Sequence, residues 1–459
     1  MTDSPEGASA REHWSSRLVF LLAITGASVG LGNLWRFPYI AGENGGGAFV
    51  LVYLGFILVI GVPLIMAELA LARRGASNPV ATLSAVCRER GCSRIWMGIG
   101  WFSVLAPPLA TTFYSVIAGW SLYYLVKSLG LGLSGLDAES ATGMFEGMLA
   151  DPLTLVGLHT VYLAAVVAVV GRGIRRGIEG VTKIMMPLLF VLLLVLATYA
   201  AVAGDGAAGW RFLFAPDFSA LDGNVVLMAL GQALFSVSVG TGAILTYGSY
   251  MTGDVSIPGA AWTLGLVDTL TALLAGLAIF PIVFAAGLQP SEGPGLMFVT
   301  LPIALGNMPG GAILGILFFL LLFMAAFTSS LAMLEPFVSW VTENRGIPRF
   351  RATVLTGLGI WAVGLTTVFS FNLLKDFKPL GGVPMLADRT VFGIIEFSVS
   401  NLMLPVNALM IALLAGWALG SRYMVERIGL QGAAGRRAWS LAARYLAPAA
   451  LAAVFVFNL

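Results

Sequence analysis

Thirteen residues, Gly26 to Pro38, carry three glycines, Asn33, Arg36 and a proline inside the first strongly apolar segment of the chain. A helix facing lipid has no use for them. In hydrocarbon every backbone N–H and C=O needs a partner, and an interrupted helix survives only where it is buried or lines a wet cavity. The residue types therefore predict a helix that breaks at mid-membrane and offers its freed main-chain groups to a ligand. An amide and a guanidinium at that depth point to ion or substrate chemistry. A second run, Gly231 to Tyr247, again sets glycines and hydroxyls at mid-span, about 210 residues later. Close packing of helices through small residues would explain either run alone. Two such runs at corresponding positions point to a binding site between two halves.

The elements that must position these runs are membrane spans. Of 459 residues, 58% are hydrophobic and 10% charged, and the mean hydropathy is +0.91. Apolar runs near 18–43, 47–72, 95–127, 153–171, 177–203, 223–252, 260–288, 310–343, 352–371, 388–418 and 438–458 reach the ~20 residues needed to cross. The pattern predicts an all-α polytopic membrane protein of about eleven helices and one transmembrane domain, residues 1–459. A first five-helix half covers about 17–203 and a second about 223–418, followed by an extra helix at about 438–458. An odd number of helices per half forces the halves into opposite orientations. The first span is an anchor, since it lacks a cleavable signal's short core. Arg and Lys gather in alternate loops, with Arg11, Arg17, Arg73–Arg94, Arg172–Lys183, Arg345–Arg351 and Arg422–Arg444 on one side, while Asp137, Glu139, Asp151, Asp205, Asp217 and Asp222 mark the other. The positive-inside rule places the N-terminus in the cytoplasm, with the chain in a plasma membrane.

Other chemistry is excluded by what is missing from the sequence. His13 and His159 are isolated, and Cys87 and Cys92 fit no zinc spacing and read as free thiols. Gly45–Gly47 lacks the Lys-Ser/Thr of a phosphate loop. No paired acids or Ser-His pair suggest an enzyme, no basic-aromatic run suggests nucleic acid, and neither an organic cofactor nor an obligatory protein partner is indicated. Two segments between spans look helical but too short to cross: residues 291–307 predict a partly buried lid, and 205–222 a second, more polar outer loop.

Gly30-Leu-Gly-Asn33-Leu-Trp-Arg-Phe-Pro-Tyr39, followed by Glu43-Asn-Gly-Gly-Gly-Ala-Phe49, resembles the signature of the neurotransmitter:sodium symporter family. Arg11-Glu-His-Trp14, Phe113 to Trp120, Gly231-Gln232 and Phe327-Thr-Ser-Ser330 extend the resemblance over roughly residues 11–420. It implies a LeuT-like 5+5 inverted repeat with discontinuous first and sixth helices, and the eleven spans are similar to bacterial members. It also implies two sodium ions, held by the oxygen ligands that hard cations prefer. The first would use the Ser28 carbonyl, Asn33, Ser236, Asp268 and the substrate carboxylate. The second would use carbonyls of Gly26, Val29 and Ala325 with the hydroxyls of Thr328 and Ser329. Those hydroxyls could equally bond back to their own helix.

Asp268 departs from the Asn of many members, and Ala272 replaces the Ser of chloride-dependent ones. Fixed negative charge near Tyr53, Gln232 and Ser236 predicts chloride-independent transport, unless Asp268 stays neutral. The resemblance places the substrate between the breaks. Leu31 and Gly32 amides and Tyr114 would hold a carboxylate, and Ala27, Ser28, Phe235, Ser236 and Ser238 an ammonium. Ala110, Tyr114, Phe235, Thr241, Ser329 and Met333 would line the side-chain end. That end has no acid or base and has room for a large apolar or aromatic group. A non-α-amino acid such as taurine, GABA or a betaine is the rival substrate, and a channel or a sensor the rival activity. Arg36 with Glu396 would gate one end, and Arg11 with Glu343, Trp14 and Tyr250 the other. Snorkelling of Arg36 and an ordinary charged margin at Arg11 and Glu343 are the plainer readings. Gly177 and Pro187 mark a stretch that unwinds, or a static kink.

Overall fold

The computed structural model describes residues 12–290 and 295–457. Arg11 and the lid residues 291–294 lie outside them. Among the described residues all regular structure is helical. Nine helices among these residues are long and apolar enough to cross a membrane: α3 (Gly47–Gly75), α5 (Arg94–Leu129), α7 (Pro152–Val170), α8 (Ile174–Ala203), α12 (Ile257–Ala285), α14 (Gly311–Arg345), α15 (Arg349–Phe369), α16 (Val391–Ala418) and α18 (Ala433–Phe457). A bent pair, α1 (Arg17–Ser28) and α2 (Gly32–Glu43), makes a tenth, with 52° between its halves. The eleventh is α10 (Gly223–Ser236) with α11 (Ala243–Ser249), each too short to cross alone.

Local chemistry sets the ends. Ser16, Asn78, Asp137, Asp151, Asp205, Asp222 and Ser256 accept from backbone N–H groups one turn into their helices, at the ends where four donors lack partners. Between the spans lie shorter helices that hydropathy does not announce, α4 (Pro79–Arg90), α6 (Ala138–Ala150) and α17 (Ser421–Ile428), and α9 (Gly206–Phe214), within the outer segment expected to be helical but too short to cross. The lid helix α13 (Leu296–Gly306) buries Leu296, Met297 and Phe298. Phe298 meets Trp120, Phe145 and Phe319, and its carbonyl accepts from the Tyr124 hydroxyl at 2.6 Å. The lid is thus anchored to α5 and α14. Those two helices pack along one another and, with α7 and α15, form one frame.

The second break is a true gap. Val237–Gly242 leaves the helix, with Ser238, Gly240 and Gly242 at φ 56°, 78° and 81°. A Cβ on Gly242 would also strike the Ser103 carbonyl oxygen. Gly242→Ala therefore combines left-handed strain of about 1–2 kcal/mol with a backbone clash. Its thermal unfolding midpoint in detergent is expected to fall clearly, whereas Gly253→Ala, which meets open space, leaves it unchanged.

Candidate functional site

At the first break the helix stops at Ser28, Val29 turns extended, and a wide π-turn restarts it over Gly32–Arg36. The turn faces α12 and α10. Asn33, wholly buried, donates from Nδ2 to Ser236 Oγ (2.9 Å), Asp268 Oδ1 (2.9 Å) and the Asp268 carbonyl (3.1 Å), while its Oδ1 accepts from Gly30 N–H. Ser236 Oγ donates to Asp268 Oδ2 at 2.5 Å and lies 3.0 Å from the Tyr53 hydroxyl. Ser28 reaches the Val237 carbonyl at 3.5 Å, which ties the two breaks together. The cluster thus gathers an amide, a hydroxyl, a carboxylate and a carbonyl. That donor set suits a hard monovalent cation.

A second oxygen cluster joins the first break to α14. Ser329 Oγ lies 3.4 Å from both the Gly26 and Val29 carbonyls. Thr328 Oγ1 lies 3.2 Å from the carbonyls of Met324 and Ala325. Thr328 thus bonds back to its own helix, while Ser329 points across to α1. Glycine is needed here because a Cβ at position 30 would overlap Ser329 Oγ and sit 3.0 Å from the Tyr114 hydroxyl.

Between the two clusters is a cavity of about 160 Å³. Ala27, Ser28, Leu31, Gly32, Ala110, Tyr114, Phe235, Ser238, Thr241, Ser329 and Met333 line it, all positions expected from sequence. The Leu31 N–H points to the Tyr114 hydroxyl at 3.2 Å, and Gln232 Nε2 holds the Gly32 carbonyl at 2.9 Å. Two hydroxyls turn to partners within the protein. Ser236 is turned away into the Asn33–Asp268 network and is not a wall residue. Thr241 spends its hydroxyl proton on the Ser238 carbonyl at 2.8 Å, closing its own turn, and contributes mainly bulk to the pocket. The sequence reading missed a wall formed by Val399, Asn401, Leu404 and Ala408 of α16 and by Leu451 and Val454 of α18. Apart from Asn401 these are apolar residues in apolar spans, which carry no signal that could have found them.

The two ends of the cavity differ. Among the described residues no ion pair joins Arg36 to Glu396. The Arg36 guanidinium instead sits 4.5 Å from the centre of the Phe235 ring, a cation–π contact that satisfies the charge at that end. The expected external pair is therefore not made in this conformation. At the opposite end Trp14 is 1% exposed. Its indole donates to the Tyr247 carbonyl at 3.0 Å, and its ring meets Tyr247 and Tyr250 edge-on. Below it lies a carboxylate the sequence reading overlooked. Glu335, wholly buried, accepts from Tyr250 (2.7 Å) and from both terminal nitrogens of Arg349 (2.9 and 2.5 Å). Glu343 accepts from Ser77 and from the backbone and side chain of Asn78, each at 2.8 Å, and its expected partner Arg11 lies outside the described residues.

The chain before Trp14 and Ser16 also holds the start of α8. Glu12 accepts from the N–H groups of Ile174 and Arg175, and Ser15 donates twice to Glu179. There α8 opens on a π-turn, Ile174–Glu179, and runs unbroken through Pro187. The stretch from Gly177 to Pro187 is helical in this conformation. Cys87 and Cys92 are free, as expected, and burial, then the neighbouring Cys92, pushes the Cys87 thiol up to about 12, leaving it inert.

The model of the sodium:neurotransmitter symporter family matches residues 11–140 and 147–459. An uncharacterized sodium-dependent transporter of Bacillus subtilis, YhdH, is 34% identical over 96% of both chains. The sodium- and chloride-dependent taurine transporter of the dog is 29% identical, over 84% of this chain and 71% of its own. Among solved structures, MhsT in complex with L-phenylalanine superposes with a TM-score of 0.88 at 40% identity, covering 98% of this chain and all of the other.

Proposed function

This chain belongs to the sodium:neurotransmitter symporter family and is a sodium-dependent membrane transporter, and from that premise we propose that it imports a neutral α-amino acid with a large apolar or aromatic side chain, coupled to two sodium ions and independently of chloride. The observation that carries the reading is the pairing of main-chain groups with a side-chain end free of charge; Arg36, which also lines the cavity, stands over the Phe235 ring. Leu31, Gly32 and Tyr114 suit a carboxylate, and the carbonyl ends at Ala27, Phe235 and Ser238 suit an ammonium. The side-chain end, at Ala110, Met333 and the α16 wall, holds no acid or base. The crystallised relative's bound L-phenylalanine is of that chemistry.

In the mechanism that follows, the Asn33–Ser236–Asp268 cluster takes one sodium ion in contact with the substrate carboxylate. The Gly26, Val29, Ala325, Thr328 and Ser329 oxygens take the other. The second ion joins α1 to α14, so its binding couples the moving half-helices to the frame. With the N-terminus in the cytoplasm of a bacterial inner membrane, Trp14, Tyr250 and Glu335–Arg349 close the inner end while the outer end stands open. Closure of Arg36 toward Glu396 over Phe235 then occludes the site. The α1, α2, α10 and α11 group rocks against α5, α7, α14 and α15. Release of Glu12 and Ser15 from α8 lets the Gly177–Pro187 stretch unwind and hydrate the second ion.

Two sodium ions with a zwitterion carry two charges. At 100 mV that supplies about 4.6 kcal/mol, roughly a thousandfold accumulation before the sodium gradient is added. Proteoliposomes holding a potential and an inward sodium gradient are expected to concentrate labelled L-phenylalanine equally in chloride and gluconate, with matching sodium entry. Uptake displaced by taurine or GABA but not by leucine or tryptophan would favour the ω-amino-acid reading suggested by the taurine-transporting relative. Sodium flux without substrate accumulation would make it a channel.

A further inference from the structure

On the side that carries Trp14, the chain leaves α16, crosses in α17 and returns along α18. Helix α17 buries Met424, Val425 and Ile428, and α18 anchors its start by donating the Trp439 indole to the Pro63 carbonyl at 3.0 Å. A groove of about 630 Å³ runs between them. Four guanidinium groups line it, from Arg422, Arg436, Arg437 and Arg444, against one carboxylate, Glu426. Among the described residues Glu426 pairs with Arg422 alone, at 3.7 Å with both side chains exposed, too loose a pair to neutralise the groove. Arg436 donates to the Leu430 carbonyl, and among the described residues nothing pairs with Arg437. Arg444 is held differently. Its guanidinium is 4.5 Å from the Trp417 ring centre and 5.5 Å from that of Tyr445, and its buried Nε has no hydrogen-bond partner. By contrast Arg74 and Arg427, on the same side, share Glu89.

The order of residues along α18 decides the ligand. Arg437, Ser440, Leu441, Arg444 and Tyr445 recur at three- and four-residue spacing and therefore share one face. Its polar end is at Arg436–Arg437. Its other end continues into Leu441, Tyr445 and Leu446, which with Trp417 are about half exposed and stand where lipid tails meet headgroups. A soluble phosphate or an acidic peptide would use the guanidinium cluster and leave that apolar continuation bare. A molecule with an anionic head and an alkyl tail covers both. We propose that this groove is a binding site for an anionic glycerophospholipid of the N-terminal-side leaflet, its phosphate between Arg436, Arg437 and Arg444 and one acyl chain along Leu441 and Leu446. Arginine forks match phosphate oxygens in geometry as well as charge. The site is separate from the transport cavity and does not depend on which substrate that cavity takes.

The test uses the full chain, purified and stripped of lipid, with dioleoyl phosphatidylglycerol as probe. Native mass spectrometry is expected to show one retained phosphatidylglycerol at least tenfold above phosphatidylcholine, with a raised thermal midpoint. Arg436→Gln/Arg437→Gln, which changes only exposed side chains, is expected to lower retention at least fivefold while substrate uptake persists. Arg88→Gln/Arg90→Gln, on the same face outside the groove, should leave retention unchanged. An equal drop in both variants would mean diffuse charge attraction and overturn the site. So would equal binding of phosphatidylcholine, or an equal midpoint shift from glycerol 1-phosphate, which has the head without the tail.

Discussion

Asp268→Asn is expected to abolish sodium-driven accumulation, with the sodium half-saturation of any residual uptake raised by at least a hundredfold. The argument is electrostatic. Asp268 is wholly buried, and its two carboxylate oxygens are held by Asn33 and Ser236. Among the described residues it is the one acid in that network. The substitution keeps the size and removes the charge. A unit charge about 4 Å from a cation contributes about 4 kcal/mol at an effective dielectric near 20, roughly a thousandfold in affinity. The second cluster, built on carbonyls and hydroxyls, keeps its ligands, so the loss falls on the ion nearest the substrate. Chloride alone should not restore the variant, because Ala272 offers no hydroxyl. Adding Ala272→Ser is expected to recover transport only in chloride. Full uptake by the single variant, measured in gluconate, would show that Asp268 supplies no needed charge.

Arg349→Ala is expected to hold the transporter open at the Trp14 end and to cut uptake at least fiftyfold. The substitution leaves Glu335 buried and its charge unmatched, with Tyr250 as its remaining donor. Breaking a buried pair from one side costs about 3–5 kcal/mol, which converts to a shift of some 100- to 5,000-fold between closed and open states. Glu335→Gln/Arg349→Gln strands neither charge and should be the milder variant, an order unexpected if the residues acted independently. A cysteine at Thr246, in a Cys92→Ser background, reads the result, since Thr246 is wholly buried on α11 beside the Trp14 closure. Impermeant maleimide applied from the N-terminal side should label it rapidly in Arg349→Ala and slowly in the parent. Equal labelling would remove Glu335–Arg349 from the gate.

How far each part was readable follows from what the membrane forbids. Asn33, Ser236 and Asp268 stood out because hydrocarbon leaves no solvent to satisfy them. Their types and depth marked them as functional, and the family resemblance grouped them. The same holds for the glycines at 30, 240 and 242, where a Cβ or an ordinary φ has no room. Glu335 and Arg349 obeyed the rule too, but Arg349 follows Gly346 and Pro348 at a helix start, where a basic residue reads as a margin charge. Arg36 and Glu396 were read as a pair, yet their contact belongs to one position of a moving part and a chain's sequence covers every position. Helices α4, α6 and α17 escaped because polar surface helices lack the apolar length that reveals spans. The α16–α18 wall escaped for the opposite reason.

That wall separates two kinds of constraint. Each residue of the ion clusters answers to several partners, so a change there disturbs coupling. Val399, Leu404, Leu451 and Val454 face the cavity with side chains that make no hydrogen bonds and hold no ion. Mutational drift at those four positions can reshape the accepted molecule while the energy-coupling machinery stays intact, which is how one scaffold diversifies into paralogues of different diet.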